Sequence, residues 1–405
     1  MNVLFLSEVT AANARNGAER TLREQVLGLN KRGHAVSVVT RTMAEDPRLT
    51  ASVDGATEYR YPFSQRNEVA FVLSSVAGSL RTLDGAAARQ YFDVALIHQS
   101  LAGLGPIIFK RARARRWIYM CLSLAHEEYL SRNTQGKTPG ERMQRLLNAY
   151  GRRWVERAVM RRCSRVIVMS DFMRKRVLAA HRIPEGKLYL LPGAVDHRKF
   201  HPAIDRASIR RQLGLPTDRM VLFTVRNLGP RMGLENLLHA LNEQGEELRD
   251  VLVLIGGEGP LRPMLEGLIR SLDLTGRVRL LGFIPEEYLP RYYQAADLML
   301  LPTAELEGFG LVTVEALACG TPVLGTPVGA TQEILAQVDP GLLTEGHDPG
   351  AIAKGVRRLL RLFRERPEER VRLSSRGRRL VEETYTWDLH AEQLERILEE
   401  VNAED

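Results

Sequence analysis

The chain is 405 residues long, with 44% hydrophobic and 26% charged residues. That composition excludes a mostly disordered chain, a collagen-like repeat and a small disulfide scaffold. Because one hydrophobic core rarely extends past about 250–300 residues, the length predicts two domains. The three cysteines are far apart and form no CxxC pair, so we expect no metal site and a reducing, cytoplasmic compartment.

Positive charge is concentrated in one part of the chain. The formal net charge is +8 at pH 7, but residues 105–180 hold 18 Lys and Arg against five Asp and Glu, a local charge of +13. Such a one-sided field favours a polyanionic partner, which could be nucleic acid, anionic lipid or a phosphorylated ligand. Nucleic acid is the weakest of these, because no recognition motif accompanies the charge, and we expect no nucleic-acid partner.

Short apolar runs alternate with helical patterns through the first half. Val3–Leu6 has the pattern of a buried strand, and a loop ending at Gly17 leads into an amphipathic helix that Gly33 terminates. This alternation predicts an α/β fold with a parallel sheet and helices on both faces. Further strands are predicted at Ala35–Val39, Asp93–Ile97, Trp117–Leu122 and Arg165–Met169.

A stretch rich in Pro and Gly, Leu191–Pro202, precedes a second α/β alternation. We place the linker around Pro202–Pro216 and expect domains at 1–202 and 203–385. The tail from Trp387 to Val401 has the pattern of one amphipathic helix, within a closing segment 386–405. Two similar halves predict a cleft in which a ligand touches both. Strands of the second half are predicted at Val221–Val225, Val251–Ile255, Val278–Leu281, Leu298–Leu301 and Pro322–Leu324.

The most informative stretch runs from Leu301 to Gly325. A strand ends at Pro302, a loop follows, and a helix is predicted from Leu311 to Cys319. Glycines in that loop let backbone N–H groups approach a ligand, and the helix start adds unpaired donors and partial positive charge. Together these features predict a diphosphate cradle at the carboxyl end of a strand.

Two carboxylates flank this helix start, Glu307 before it and Glu315 one turn inside it. Carboxylates are good acceptors for sugar and ribose hydroxyls. The plainer alternative is that Glu307 caps the helix and Glu315 is solvated. A glycosidase would also use two carboxyls, but a phosphate-binding helix start is not part of such a site.

The segment from Glu307 to Glu315 and on to Val323, EGFGLVTVEALACGTPV, resembles the signature of the retaining, nucleotide-sugar-dependent glycosyltransferases of family four. That family has the GT-B architecture of two facing Rossmann-like domains. Other segments match in the same order, namely GAER from Gly17, RGHAV from Arg32, PGAVD from Pro192, FHP from Phe200, GGEGPL from Gly256, LGFIP from Leu281 and TWD from Thr386.

The resemblance implies a role for each matching residue. Glu307 would hold hydroxyls of the donor sugar and Glu315 the nucleotide ribose, while the base would lie near Phe283 and Ile284. Gly17 would approach the donor phosphates from the opposite domain, and the last helix would return to the first domain. The diphosphate would be held by the backbone of Gly308, Phe309, Gly310 and Leu311.

The resemblance also implies the chemistry. The donor would be a nucleotide-diphosphate sugar, a UDP- or GDP-sugar, with no cofactor and no metal. Backbone amides and basic side chains would meet the leaving-group charge, and the departing phosphate would take the acceptor's proton. The expected acceptor is a glycan, a lipid or a small molecule.

Two positions depart from the family pattern, which usually has Arg-Leu-x-x-x-Lys-Gly after the first strand of the second domain. Here the Arg and Lys positions hold Asn227 and Met232, and Arg226 and Arg231, each one residue away, are the candidates to replace them. The alternative is that both arginines are surface residues.

The family's sugar-facing histidine, at the end of a first-domain strand, aligns with either Leu122 or His126, and we take His126 as the catalytic candidate. The alternative for His126 is a loop histidine bonded to Glu127 or to backbone. A third histidine, His98, is expected to be structural.

A basic helical stretch within residues 140–165 interleaves arginines with Met143, Leu146, Tyr150 and Trp154. It fits an anionic membrane surface on the cytoplasmic side, a phosphorylated acceptor, or a solvated face over an ordinary core.

The family resemblance makes a retaining glycosyltransferase the leading function. The alternatives are a catalytically weak or inactive binding scaffold at a membrane surface, and an epimerase or phosphorylase of the same architecture.

Overall fold

The structure is a computed structural model that describes residues 1–12, 16–43, 46–85, 90–109, 114–133, 138–243 and 250–404. The chain divides into two compact units. Unit 1 comprises Met1–Gly193 together with Trp387–Asp405, and unit 2 comprises Ala194–Thr386. The division after Gly193 falls earlier in the chain than the expected boundary at residue 202.

Unit 1 is built on a sheet with the strand order β3-β4-β2-β1-β5-β6-β7-β8. All its neighbouring strands pair in parallel except β3 and β4, an antiparallel edge pair that the sequence reading did not predict. Its strands are β1 (Asn2–Leu6), β2 (Ala35–Arg41), β3 (Thr50–Val53), β4 (Ala56–Tyr61), β5 (Phe92–Ile97), β6 (Ala114–Cys121), β7 (Arg165–Val168) and β8 (Leu188–Leu190).

Helices cover this sheet because each has one apolar face. Helix α1 buries Leu22, Val26 and Leu29, and a capping box fixes its start, in which Asn16 accepts from the N–H of Glu19 and the Glu19 side chain accepts in return. The helices of unit 1 are α1 (Gly17–Lys31), α2 (Glu68–Asp84), α3 (Ser100–Phe109), α4 (Ala125–Arg132), α5 (Pro139–Arg162), α6 (Asp171–His181) and the last helix, α15 (Trp387–Ala403).

Unit 2 contains a parallel sheet with the order β11-β10-β9-β12-β13. Its strands are β9 (Met220–Val225), β10 (Val251–Gly256), β11 (Val278–Gly282), β12 (Leu298–Leu301) and β13 (Val323–Gly325). Strands β9, β10, β12 and β13 are almost wholly buried apolar runs, as expected when helices cover both faces of a sheet, whereas only the first residue of the edge strand β11 is buried. The α/β fold class expected from the alternation is confirmed.

The helices of unit 2 include one inside the segment expected to be the linker, Pro202–Pro216. This helix, α7, is held in place by Arg206 and Arg210, whose guanidinium groups lie 2.8 Å and 2.6 Å from the buried carboxylate of Asp297. The set is α7 (Arg206–Gln212), α8 (Leu234–Glu243), α9 (Arg262–Ser271), α10 (Leu289–Ala295), α11 (Leu311–Ala318), α12 (Thr331–Val338), α13 (Pro349–Glu365) and α14 (Pro367–Thr384).

Hydropathy along the helices is modest. Within the described part of the chain, no helix is both long enough and apolar enough to cross a bilayer.

Candidate functional site

The candidate site lies at the carboxyl edge of the unit 2 sheet, where the loops after β9, β12 and β13 meet. Glycines allow the close approach. A Cβ on Gly233 (φ +68°) would lie 1.8 Å from the carbonyl oxygen of Pro302, and one on Gly329 (φ +64°) would lie 2.2 Å from that of Glu307. The loops therefore pack backbone against backbone, which positions whatever side chains they carry.

Glu307 lies in the loop between β12 and α11, at the edge of this site. Its side chain is 12% exposed, so it does not point into bulk water. The preceding residue, Leu306, has a positive φ of +54°, which is unusual for a leucine. Strained backbone of this kind persists only where the surrounding contacts hold it, and it tends to cluster at functional sites.

That carboxylate forms an ion pair with Arg226, the residue that follows β9. Thr303 Oγ1 also lies 3.4 Å from the same Glu307 oxygen. The Arg226 side chain is 5% exposed, and its Nη2 lies 2.9 Å from the sulfur of Met232. Its Nη1 is buried and has no hydrogen-bond partner among the described residues. A guanidinium with an unused donor in such a place suits an additional anionic or hydroxyl ligand.

Arg231 also belongs to the site, because its guanidinium bonds the carbonyl oxygen of Leu306. Its own carbonyl accepts the N–H groups of Ala304 (2.9 Å) and Glu305 (3.2 Å). Arg226 and Arg231 therefore both contact the loop that carries Glu307. The alternative that they are merely surface residues does not describe this geometry.

The start of α11 is the place where the sequence predicts a phosphate cradle. Gly310 is its N-cap residue, with φ +84°, and no side chain of the described residues caps the helix. Glu307 is therefore not the cap that the plainer alternative proposed. The side chain of Phe309 is buried edge-on against Tyr385, with ring centroids 5.6 Å apart, which anchors the loop. An uncapped helix start beside Gly308 and Leu311 has the donors and partial charge that bind an anion.

Glu315 lies in the interior and differs from Glu307 in its surroundings. Its residue exposure is 1%, and the Tyr293 hydroxyl donates to its Oε2 over 2.8 Å. The solvated alternative for Glu315 is therefore wrong. Its assignment to the nucleotide ribose stays a prediction.

The two residues expected near the base follow β11. Phe283 is 51% exposed, so its ring is available to a planar ligand. Ile284 is buried, and its Cδ1 lies 2.5 Å from the place where a Cβ on Gly256 would be. Ile284 therefore packs on the end of β10, and the exposed face at this point belongs to Phe283.

Gly17 is the first residue of α1 in unit 1, and it is exposed. The Asn16 side chain accepts from the N–H groups of Ala18 and Glu19, each at 3.1 Å. Those two donors are occupied by the cap in this structure. The expected approach of Gly17 to donor phosphates stays a prediction.

His126 lies in the first turn of α4 and not in a loop. Its Nδ1 is 3.7 Å from a carboxylate oxygen of Glu156, and its ring meets that of His181 edge-on at 5.7 Å. The contact with Glu127 is 4.0 Å, longer than a hydrogen bond. The role of His126 toward a sugar stays a prediction. Strand β6 ends at Cys121, which leaves Leu122, the other aligned position, just beyond the strand.

His98 is buried, 2% exposed, and follows β5. Its ring contacts Phe5 edge-on at 5.4 Å, and neither ring nitrogen has a partner among the described residues. Burial lowers the pKa of His98 to about 3, so the imidazole is neutral at pH 7.

The basic helix α5 presents an apolar stripe outward. Some of its arginines serve the fold: Arg152 pairs with Glu68 at 2.8 Å, and Arg153 donates to the Ala180 carbonyl that ends α6 at 2.7 Å. A helical spacing places five exposed apolar side chains on one face, so the alternative that they form core is wrong for them. They are Met143, Leu146, Leu147, Tyr150 and Trp154.

Sequence reasoning missed the pairing of Arg226 with Glu307 and the hydroxyl of Tyr293 on Glu315. The signal for the first was present, since an arginine directly after β9 must lie at the sheet edge that holds Glu307. No local pattern marked Tyr293.

Two family models match the chain. A model described as "Glycosyltransferase Family 4" matches residues 15–199, and one described as "Glycosyl transferases group 1" matches residues 205–380. Curated relatives include the D-inositol 3-phosphate glycosyltransferase of Mycobacterium leprae, 29% identical over 84% of this chain and 78% of the relative. That of Kineococcus radiotolerans is 28% identical over 90% of this chain and 86% of the relative.

Solved structures share the whole fold. Sucrose-phosphate synthase from Thermosynechococcus elongatus superposes with a TM-score of 0.82 at 23% identity, covering 99% of each chain. The Anabaena protein HepE, solved in complex with UDP-glucose, has a TM-score of 0.74 at 19% identity, covering 99% of this chain and 100% of HepE. At these identities the likeness establishes the fold.

Proposed function

The chain belongs to the family-four glycosyltransferases and has their GT-B fold, and from this premise we propose that it moves a sugar from a nucleotide-diphosphate donor with retained anomeric configuration and without a metal. The observation that carries the proposal is the position of the Glu307–Arg226 pair beside the uncapped start of α11. This arrangement brings together a carboxylate that can accept hydrogen bonds from sugar hydroxyls, the guanidinium of Arg226 and a helix start suited to an anion.

The proposed role of each site residue follows from the negative charge that develops on the leaving diphosphate. Donor cleavage leaves a diphosphate with added negative charge, and fixed donors aimed at developing charge stabilise the transition state more than the ground state. The amides of α11 and the guanidinium groups of Arg226 and Arg231 supply that stabilisation here. When the donor binds, hydroxyls of its sugar donate hydrogen bonds to the Glu307 carboxylate in competition with Arg226, and these bonds orient the sugar ring.

For the donor we propose a UDP- or GDP-sugar, with the base against the exposed ring of Phe283. The HepE structure contains UDP-glucose, which makes UDP-glucose the first donor to test. The curated relatives named above act on D-inositol 3-phosphate, so a phosphorylated cyclitol belongs in the acceptor panel beside glycans and lipid-linked sugars.

We further propose that the enzyme works at an anionic membrane surface through α5. The stripe of exposed apolar side chains on α5 includes Tyr150 and Trp154, and aromatic rings favour the headgroup region. Val69 and Leu73 of α2 are also exposed, and Arg152 joins α2 to α5 through Glu68. Arginines in the same helix supply attraction to anionic lipid.

The first experiment measures donor hydrolysis and transfer over a panel of UDP-, GDP- and ADP-sugars and the three acceptor classes, with and without EDTA. The anomeric configuration of the product is read by NMR. Glu307→Gln is expected to abolish transfer while the variant stays folded by circular dichroism, although the unpaired Arg226 lowers its thermal midpoint. The matched control is Glu305→Gln, two residues away and exposed.

The outcomes separate the alternatives. An inverted product contradicts retention, and loss of activity in EDTA at a temperature where the EDTA-treated protein is still folded contradicts metal independence. Donor binding without hydrolysis or transfer across the whole panel supports the inactive binding scaffold instead. Transfer by Glu307→Gln at the wild-type rate removes this site from the reaction.

A second experiment addresses the membrane surface. Sedimentation with phosphatidylglycerol-containing vesicles and with pure phosphatidylcholine vesicles compares wild type with Trp154→Ala. Trp154 is 59% exposed in the protein, so its ring is free to enter the lipid headgroup region. Losing the burial of that ring in the membrane, worth about 1.5–3 kcal/mol, is expected to weaken binding at least tenfold. Tyr91→Ala, a change at an exposed aromatic residue elsewhere in unit 1, is the control. Equal partition of all three proteins contradicts this surface.

A further inference from the structure

Three helices of unit 1 bring a carboxylate and two imidazoles together below the surface. Glu156 comes from the middle of α5, His126 from the first turn of α4 and His181 from the last turn of α6. The His181 Nε2 atom lies 3.0 Å from Glu156 Oε2, and His126 Nδ1 lies 3.7 Å from the same oxygen. All three atoms lie within 4.8 Å of one another.

Hydrogen bonds within the described part of the protein do not satisfy every polar atom of this cluster. Glu156 Oε1 is already occupied, since it accepts from the Tyr119 hydroxyl at 3.1 Å and the Ala125 N–H at 3.2 Å. Glu156 Oε2 faces the two imidazoles. The His126 Nδ1 atom is shielded from solvent and has no hydrogen-bond partner among the described residues. A buried polar atom without a partner is costly, and it points to a ligand between these groups.

Positions around the cluster are fixed before any ligand arrives. Glu156 and His181 are fully buried, so their side chains have little room to reorient. Arg153 donates through both Nε and Nη2 to the Ala180 carbonyl, directly before His181. The end of α6 is thereby tied to α5, which holds the His181 ring against Glu156.

Two imidazole nitrogens and one carboxylate oxygen are a ligand set that Zn²⁺ prefers. With metal–ligand bonds of about 2.0–2.2 Å at tetrahedral angles, ligand atoms lie about 3.3–3.5 Å apart. The separations to Glu156 Oε2, 3.0 and 3.7 Å, bracket that value. Burial disfavours an isolated charge here, and an ion held by three ligands offsets that cost.

We propose that His126 Nδ1, Glu156 Oε2 and His181 Nε2 bind one divalent transition-metal ion, Zn²⁺ in particular, with water as the fourth ligand. The ion cross-links α4, α5 and α6 and has a structural role. The sugar transfer proposed above does not require this ion. The side chain of His126 is 12% exposed, which gives the ion its entry path.

The test titrates untagged, metal-free protein with Co²⁺, which reports its ligands through its visible absorption, and then displaces it with Zn²⁺. Wild type is expected to bind one equivalent with the spectrum of a tetrahedral site and to melt at a higher temperature with Zn²⁺ present. His126→Gln is the informative variant because it lies nearest the surface, and its affinity is expected to fall tenfold or more.

The control is His239→Gln, an exposed histidine of α8 in unit 2, which is expected to keep wild-type binding. His181→Gln is fully buried and tests the cluster only where its circular dichroism matches wild type. The proposal is overturned by the absence of stoichiometric Co²⁺ binding, by an octahedral spectrum typical of a solvated surface ion, or by equal affinity of His126→Gln and wild type. In each case the cluster is a hydrogen-bonded group and not a metal site.

Discussion

Arg226 forms an ion pair with Glu307, although the two residues are far apart in sequence and follow different strands of the unit 2 sheet. The pairing neutralises a partly buried carboxylate and holds a buried guanidinium at the place where the leaving diphosphate is proposed to lie. Removing one partner of such a pair leaves an uncompensated charge.

Replacing Arg226 by Met is expected to lower kcat/KM by about 10²–10³-fold, because a cation aimed at the leaving group is lost. Arg226→Lys is expected to recover only part of the rate. The planar guanidinium of Arg226 meets Glu307 through Nη2 and keeps Nη1 available for a ligand, and a lysine ammonium cannot do both. Arg270→Met, an exposed change at the end of α9, is the control. Wild-type kinetics for Arg226→Met would remove this residue from the mechanism.

Arg231→Ala is expected to weaken nucleotide-diphosphate binding by about tenfold, since charge-assisted hydrogen bonds to phosphate are worth about 1.5–3 kcal/mol. Calorimetry with UDP and with UMP distinguishes a contact to the second phosphate from a contact to the nucleoside. A loss for UDP but not for UMP places Arg231 on the terminal phosphate. Unchanged affinity for both ligands means that Arg231 does not replace the family lysine.

Gly233→Ala tests the close approach of the site loops. The residue has φ +68°, and a Cβ there would lie 1.8 Å from the Pro302 carbonyl oxygen, so backbone must move. Strain of about 1–2 kcal/mol for the left-handed conformation adds to about 1–3 kcal/mol for overpacking. Gly214→Ala is a matched control, because Gly214 has φ +64° and nothing lies within 4 Å of the added Cβ.

Urea unfolding measures both glycine variants. Gly214→Ala is expected to lose only the part of the unfolding free energy that comes from the left-handed conformation. Gly233→Ala is expected to lose more unfolding free energy and to bind the donor more weakly. Equal losses of unfolding free energy in the two variants would show that the loop after β9 adapts without displacing the loop that carries Glu307.

The lowered pKa of His98 predicts that the free energy of unfolding depends on pH. Its folded pKa is about 3, lowered by burial, whereas an unfolded histidine titrates near 6.5. Below pH 6.5 the unfolded state binds a proton that the folded state does not, so stability is present above pH 6.5 and is lost as pH falls toward 3. From pH 6.5 to 5 the loss is about 2 kcal/mol.

His98→Phe removes that titration and keeps the edge-on contact with Phe5. The slope of unfolding free energy against pH between 6.5 and 5 is expected to flatten by about one proton, and the exposed change His347→Phe is expected to leave the slope unaltered. An identical slope in wild type and His98→Phe would show that His98 binds protons equally in the folded and unfolded protein, which contradicts the lowered pKa.

The fold class could be predicted from particular runs. Val251–Ile255 and Leu298–Leu301 are short, apolar and bounded by helical patterns, and the strands in the structure begin and end within a residue of these ranges. The family likeness, carried by the stretch from Glu307 to Glu315, is confirmed. The edge pair β3 and β4 was missed, because neither strand has a strong apolar run: β3 alternates exposed and half-buried residues, and β4 carries Glu58 and Arg60 among its buried positions.

The sequence by itself determined most of the elements and the position of the glycine-containing loop before α11, because strand burial, helix starts and positive-φ glycines depend on residues close together in the chain. Only the tertiary structure decided that Glu307 faces Arg226 while Glu315 turns to Tyr293, and that His126, Glu156 and His181 meet. Such contacts depend on where helices and strands pack, and packing joins side chains whose spacing along the chain carries no signal.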